Sequence, residues 1–190
     1  MPIRTRVLFL VRHGQYLSGI EGQRDEVLTP LGQRQAERLG KRLAPIPFSS
    51  IWQSDMPRAV QTAEILASFL PHLTPRTSRL LREGIPSVAP HFGAEYRPPR
   101  AQMLATRQRM DRAFERFVRP SSTDRIELIV AHGNIIRYLI RRTLDDAPQR
   151  WWQMDILQCG LSIIRVTKAR RVLSSFNDAG HLPPKMQTYL

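Results

Sequence analysis

Val7-Leu8-Phe9-Leu10-Val11-Arg12-His13-Gly14 is the stretch on which the reading of this chain turns. Its five apolar residues run without alternation, so a strand made from them is buried on both faces, as in a mostly parallel sheet covered by helices on each side. The run is too short to cross a bilayer and lacks the small-residue cleavage site of a secretory signal. Arg12-His13-Gly14 falls where the strand ends and a loop begins. In open α/β sheets the crevice beyond the carboxyl ends of the strands is where ligands bind.

Working outward, Thr29 is a suitable N-cap and Pro30 a suitable first residue for a helix carrying Leu31, Leu39 and Leu43 to about Ala44. Ile51-Trp52 reads as a short strand. Ser54 or Asp55 then caps a helix in which Ala59, Ala63, Leu66 and Leu70 recur at helical spacing, which places Arg58 in its first turn. After Pro71, Thr77 to Arg82 is expected to be extended, and the Pro- and Gly-containing stretch Gly84 to Pro99 to form a loop able to cover a site. Met103, Met110, Phe114 and Phe117 form the apolar face of a helix from about Arg100 to Arg119. The strand Ile126 to Ala131 ends at His132-Gly133, with Asn134 the expected cap of a helix through about Leu144. Leu161 to Val166 and Val172 to Phe176 read as late strands. This rhythm is that of an α/β protein, a three-layer α/β/α sandwich with a mostly parallel central sheet.

The 190 residues, 42% of them apolar, bury one substantial core, so residues 1–190 are expected to form a single domain; no repeat or linker is visible. The only cysteine, Cys159, forms no intrachain disulfide, and no Cys/His spacing marks a zinc site. Both point to a reducing compartment, with the cytoplasm as the expectation and no membrane anchor. Lys and Arg outnumber Asp and Glu by 29 to 16, a formal charge of +13. Such a surface attracts anions, but a phosphorylated substrate, nucleic acid and an acidic membrane are all anionic.

Two segments share one plan, a hydrophobic strand ending in His-Gly, at His13-Gly14 and again at His132-Gly133. Between them lie Ser54-Asp55-Met56-Pro57-Arg58-Ala59, followed by Gln61-Thr62-Ala63, and then Leu81-Arg82-Glu83. Each piece has an ordinary rival reading: arginines in surface ion pairs, a loop carboxylate, a histidine closing a strand. In this order and on these elements, they resemble the blocks of the histidine phosphatase superfamily, the phosphoglycerate mutase-like family, over nearly the whole chain. The resemblance implies that fold and a phosphomonoester hydrolase needing no metal or cofactor. His13 is then the nucleophile, attacking phosphorus as a neutral imidazole. Arg12 and Arg58 clamp the phosphoryl oxygens, with His132 and Gly133 completing the phosphate site. Glu83 is the general acid and base.

Further local matches resemble one branch of the family, mitochondrial serine/threonine protein phosphatases. They are Arg12-His13-Gly14-Gln15-Tyr16, Leu28-Thr29-Pro30-Leu31-Gly32, Leu81-Arg82-Glu83-Gly84-Ile85-Pro86, Asn134-Ile135-Ile136-Arg137-Tyr138 and the tail around Asp178 to Pro184. They imply a phosphoserine or phosphothreonine protein substrate and make mitochondria the alternative to the cytoplasm. That branch usually carries an anchor and an oligomerisation segment before its catalytic domain, whereas this sequence starts almost at its first strand. Mutase activity is not expected, because Gln15 to Ile20 lacks the asparagine usual in mutases and Arg58 to His132 is short for their lid. A small phosphometabolite is the alternative substrate, with specificity expected in Ile85 to Arg100. Arg109, Arg112, Arg116 and Arg119 form a basic stripe that nucleic acid could follow, but no nucleic-acid motif accompanies it, so nucleic acid is not the expected partner. A catalytically silent scaffold is the remaining rival. Trp151 and Trp152 offer a patch for a homodimer, although adjacent aromatics are more often divided between the core and a partly covered surface; Tyr16, beside the nucleophile, either contacts the leaving group or packs on the following loop, and is not counted in the site.

Overall fold

Leu8 and Leu10 enter one hydrophobic core and Phe9 and Val11 another, so the opening strand is buried on both faces. The structure, a computed structural model, describes residues 4–17, 27–88, 91, 93 and 97–189. In chain order its elements are β1 (Arg6–Arg12), α1 (Pro30–Leu43), β2 (Ser50–Gln53), α2 (Pro57–Ser68), β3 (Arg76–Thr77), α3 (Arg100–Phe117), β4 (Arg125–Ala131), α4 (Gly133–Thr143), β5 (Leu161–Val166) and β6 (Arg171–Asp178). The six-stranded sheet has the order β3-β2-β4-β1-β5-β6. Pairings from β3 to β1 are parallel, and β5 is antiparallel to both its neighbours.

One core joins Leu8, Leu10, Ile129 and Ile164 of the sheet to Met110, Phe114 and Phe117 of α3 and Ile135, Ile136 and Leu139 of α4. The other joins Phe9, Val11, Ile51 and Leu128 to Leu39 and Leu43 of α1 and Ala59, Ala63 and Leu66 of α2. The result is the expected three-layer sandwich. The helix after β1 covers one face and the helix after β4 the other, so the adjacent ends of β1 and β4 form a topological switch point, the place where open α/β sheets bind ligands.

Local expectations fare unevenly. Thr29 caps α1 by accepting the Gly32 N–H at 3.0 Å, with Pro30 in the first turn. The N-cap of α2 is Met56, not Ser54 or Asp55; Ser54 is hydrogen-bonded to His132, and Asp55 pairs with Arg82. The N-cap of α4 is His132, and Asn134 already lies inside the helix. The stretch 77–82 is not extended: after the two residues of β3 it coils into a 3-10 turn at Arg79–Leu81, which drops Leu81 fully into the core. Leu81 must turn inward while Arg79 and Arg82 stay outside on Asp55, and a straight strand does not meet both demands.

Candidate active site

Strand register builds the site. Arg12 is opposite Ala131, and Gln53 opposite Val130, so His13, His132 and Ser54 leave the ends of three adjacent parallel strands side by side. The His13 N–H continues the ladder to the Ala131 carbonyl at 3.0 Å, and the Ser54 N–H reaches the Val130 carbonyl at 3.0 Å. The two imidazole centroids are 5.1 Å apart.

The loop after β1 is pinned from both helices on its face. The Gly14 N–H donates to Thr62 Oγ1 at 3.1 Å and the Gln15 N–H to Gln35 Oε1 at 2.8 Å. A Cβ on residue 14 would stand 2.5 Å from the Gly32 carbonyl oxygen, so only glycine lets the loop lie against α1. From behind, the Cys159 N–H donates to the carbonyls of Arg12 (3.0 Å) and His13 (3.3 Å), from a backbone in the left-handed region at φ 55°.

His13 is 2% exposed. Its Nδ1 donates to the Gly14 carbonyl at 2.8 Å, and its Nε2 accepts from Arg58 Nε at 3.2 Å. This tautomer leaves the lone pair on Nε2. Burial, reinforced by Arg12 and Arg58 and opposed by the bond to Gly14, holds its pKa well below the usual histidine value, so the ring is neutral.

Arg12 reaches back with Nη1 to the Ile156 carbonyl at 2.6 Å. Its Nε is buried without a hydrogen-bond partner among the described residues, as is Nδ1 of His132. Burial lowers the pKa of Arg12, and the charge of Glu83 is the strongest influence against it. The Tyr16 ring lies 4.5 Å under the Arg58 guanidinium and 5.1 Å from the His13 ring, so it packs directly on the pair. His132 is fully buried, and burial, with the neighbouring Arg58 and Arg12 charges acting in the same direction, keeps its pKa well below normal. Its Nε2 is 2.9 Å from Ser54 Oγ, a hydroxyl that accepts the Met56 N–H at 3.3 Å. In the tautomer in which Nε2 accepts the hydroxyl proton, Nδ1 carries the imidazole proton as a donor. Arg12 Nε and, in that tautomer, His132 Nδ1 are buried donors at the ends of adjacent strands that suit a tetrahedral oxyanion.

Glu83 closes the other side. Its carboxylate accepts the N–H groups of Gly84 (3.0 Å) and of Asn134 (3.2 Å) in the first turn of α4. Asn134 answers by donating its side chain to the Gly84 carbonyl at 3.1 Å. A Cβ on residue 133 would be 3.0 Å from Arg137 Nη2 and 3.6 Å from Arg12 Nε, so two guanidiniums flank Gly133. Arg137 also donates to the Gly133 carbonyl at 3.2 Å and lies 5.2 Å from the Trp151 ring.

All six residues expected from sequence, Arg12, His13, Arg58, Glu83, His132 and Gly133, thus meet at one crevice. Ser54 and Arg137 join them unforeseen, and Tyr16, not counted in the site from sequence, joins them too. Arg137 was legible as the residue one turn after Gly133 on the same helix face; Ser54 had no local signal beyond its capping tendency. Trp151 is 3% exposed and donates its indole N–H to Ser87, while Trp152 is half-buried, so the pair is divided between core and a partly covered surface. The arginine stripe is broken as well, because Arg109 turns inward. Residues 18–20 of the segment compared with mutases, and residues 89–90, 92 and 94–96 of the expected specificity loop, lie outside the described residues. Among the described residues no cluster of three or more His, Cys, Asp or Glu could hold a metal, and no helix is long and apolar enough to cross a membrane.

Comparison with known proteins agrees with this geometry. The chain is 39% identical over 188 residues to the serine/threonine-protein phosphatase Pgam5, mitochondrial, of Caenorhabditis elegans, an alignment covering 95% of this chain and 65% of that protein. It thus spans just under two thirds of that relative's length. The relative's name says mitochondrial, against the cytoplasmic expectation and in line with its alternative. A phosphoglycerate mutase from Plasmodium falciparum superposes with a TM-score of 0.66 at 27% identity, covering 98% of this chain and 99% of that one. A phosphoserine phosphatase from Entamoeba histolytica has the same fold, with a TM-score of 0.72 at 21% identity over 94% of this chain and 100% of that one. The sequence pattern of the histidine phosphatase superfamily (branch 1) matches residues 8–85 and 88–179, and with it the chain belongs to the histidine phosphatase superfamily.

Proposed function

We propose that this chain is a phosphomonoester hydrolase that works through a phosphohistidine on His13 and acts on phosphoserine or phosphothreonine in proteins. The observation that carries the reading is the neutral His13, its Nδ1 proton tied to Gly14 and its Nε2 left unprotonated, accepting from Arg58 Nε. In the first step Nε2 attacks phosphorus and the bond to the substrate oxygen breaks; that oxygen keeps the electron pair of the bond and takes a proton from Glu83, which enters the step as the protonated carboxyl and leaves it as the carboxylate. In the second step water attacks phosphorus and gives its proton to the Glu83 carboxylate. The P–N bond then breaks, its electron pair returns to Nε2, and inorganic phosphate leaves. Arg12, Arg58, His132 and the Gly133 backbone hold the phosphoryl oxygens, whose negative charge the two guanidiniums oppose. The scheme draws its positive charge from the protein itself.

The protein substrate rests on the relative's name, and so does mitochondria as the compartment. Two cores on opposite faces of one sheet support reading residues 1–190 as one catalytic domain. The test is phosphate release, with chelator present, from an aryl phosphate, a phosphoserine/phosphothreonine peptide panel and 3-phosphoglycerate, for wild type and His13→Ala. The reading expects turnover by wild type alone, with the peptides preferred. Equal activity in the two proteins, or in neither, ends it; preference for 3-phosphoglycerate moves the substrate to small metabolites.

A further inference from the structure

By spacing, Arg109 belongs with Arg112, Arg116 and Arg119 on a solvated basic stripe, yet its guanidinium points back from α3 toward the segment that carries Glu83. Nη1 donates to the carbonyls of Leu80 (3.2 Å) and Arg82, and Nη2 donates to the carbonyl of Glu83 at 3.0 Å. Gly84 makes room for this: a Cβ there would be 3.0 Å from Arg109 Nη2 and 2.8 Å from Thr106 Cγ2. A planar fork can hold several carbonyls in fixed directions, which a single ammonium does not. Burial lowers the pKa of Arg109, with the charge of Glu83 the largest influence in the other direction.

Glu83 is therefore held at both ends. Its backbone is tied to α3 through Arg109, and its carboxylate to the first turn of α4. The two helices are themselves joined, since Asp111 accepts from Tyr138 Oη at 2.7 Å and from Arg142 Nη1 at 2.6 Å. A carboxyl that must meet a leaving oxygen within hydrogen-bond reach needs such a mounting, because an error of about 1 Å in placing a reacting group can cost about 10²-fold in rate.

We propose that Arg109 is the positioning residue for Glu83: by clamping the carbonyls of Leu80, Arg82 and Glu83 it sets the efficiency of proton transfer to the leaving group without touching substrate. The inference rests on Glu83 as general acid, the reading given above. It makes a specific demand. A serine alkoxide leaves poorly without the proton from Glu83, whereas a dinitrophenolate leaves without it, so displacing Glu83 slows the first reaction and spares the second.

The experiment measures the rate of enzyme phosphorylation by rapid quench, with a phosphoserine peptide and with 2,4-dinitrophenyl phosphate, for wild type, Arg109→Lys, Arg109→Gln and Glu83→Gln. The readout is the ratio of the two rate constants in one preparation, from which the fraction of folded enzyme cancels. Arg109→Lys and Arg109→Gln are expected to slow the peptide reaction about 10-fold more than the dinitrophenyl reaction, and Glu83→Gln to give a larger split of the same sign. Equal slowing of both substrates by the Arg109 variants, with the split retained in Glu83→Gln, overturns the positioning role and leaves Glu83 as the acid. No split in Glu83→Gln overturns the acid-base reading and the inference with it.

Discussion

Replacing Ser54 by alanine tests how the phosphate site is wired. Ser54 is fully buried, and its hydroxyl accepts the Met56 N–H and lies 2.9 Å from His132 Nε2, to which it donates when the ring proton is on Nδ1. Ser54→Ala leaves that ring nitrogen in the interior without a donor, which costs about 1–3 kcal/mol of stability. For a chain of this size the melting temperature falls by about 2–4 °C for each kcal/mol. The catalytic loss is larger. Without Ser54 nothing holds the imidazole proton on Nδ1, and the opposite tautomer presents a lone pair to the phosphoryl oxygens. Losing one such donor is worth about 10²–10³ in kcat, and a ring that samples both tautomers loses part of that. The assay is kcat on a phosphoserine peptide for Ser54→Ala, Ser54→Thr, His132→Ala and the double variant Ser54→Ala/His132→Ala. Ser54→Thr keeps the hydroxyl and most of the activity, and once His132 is gone the loss of Ser54 changes kcat by less than about 3-fold. A folded Ser54→Ala with wild-type kcat would falsify the wiring, and so would an equal loss with and without His132.

Three other perturbations follow from the same contacts. His13 and His132 have pKa values depressed mainly by burial, so each stays neutral in the folded chain while the unfolded chain takes up its proton. Stability is therefore full above the unfolded histidine value of about 6.5 and falls as pH drops below it, by up to about 1.4 kcal/mol per pH unit per histidine; urea unfolding at a series of pH values checks this, and a flat profile contradicts it. The phosphorylation burst, which needs neutral His13, correspondingly shows no acid limb near pH 6.5, as a stopped-flow pH profile tests. Gly14→Ala sets a Cβ 2.5 Å from the Gly32 carbonyl oxygen, so the loop must shift; a loss of about 1–3 kcal/mol in unfolding free energy and a marked fall in kcat are expected together. Glu127→Ala strips the buried partner from Arg6, which is 8% exposed, and is expected to cost about 3–5 kcal/mol in urea unfolding with little effect on KM.

The unalternating run 7–11 was enough to call for a strand buried on both faces, and the apolar periods of α1 to α4 for helices to bury it. Those are local properties, written in the spacing of residues one or two turns apart. The six residues expected at the candidate site were legible for a related reason: each lies at the end of a strand, in the first turn of a helix or just after a short turn, inside a short motif. What the chain alone did not disclose is what each polar group is bonded to. Ser54 reads as a helix cap, but its partner His132 is 78 positions away. Arg109 reads as part of a basic surface, but the carbonyls it holds lie 26 to 29 positions upstream. Asn134 reads as a cap, while the carboxylate that serves α4 comes from Glu83, 51 positions earlier. A hydrophobic pattern repeats along the chain and survives in one dimension; a hydrogen-bond partner is chosen by register and packing, and only the tertiary structure sets those.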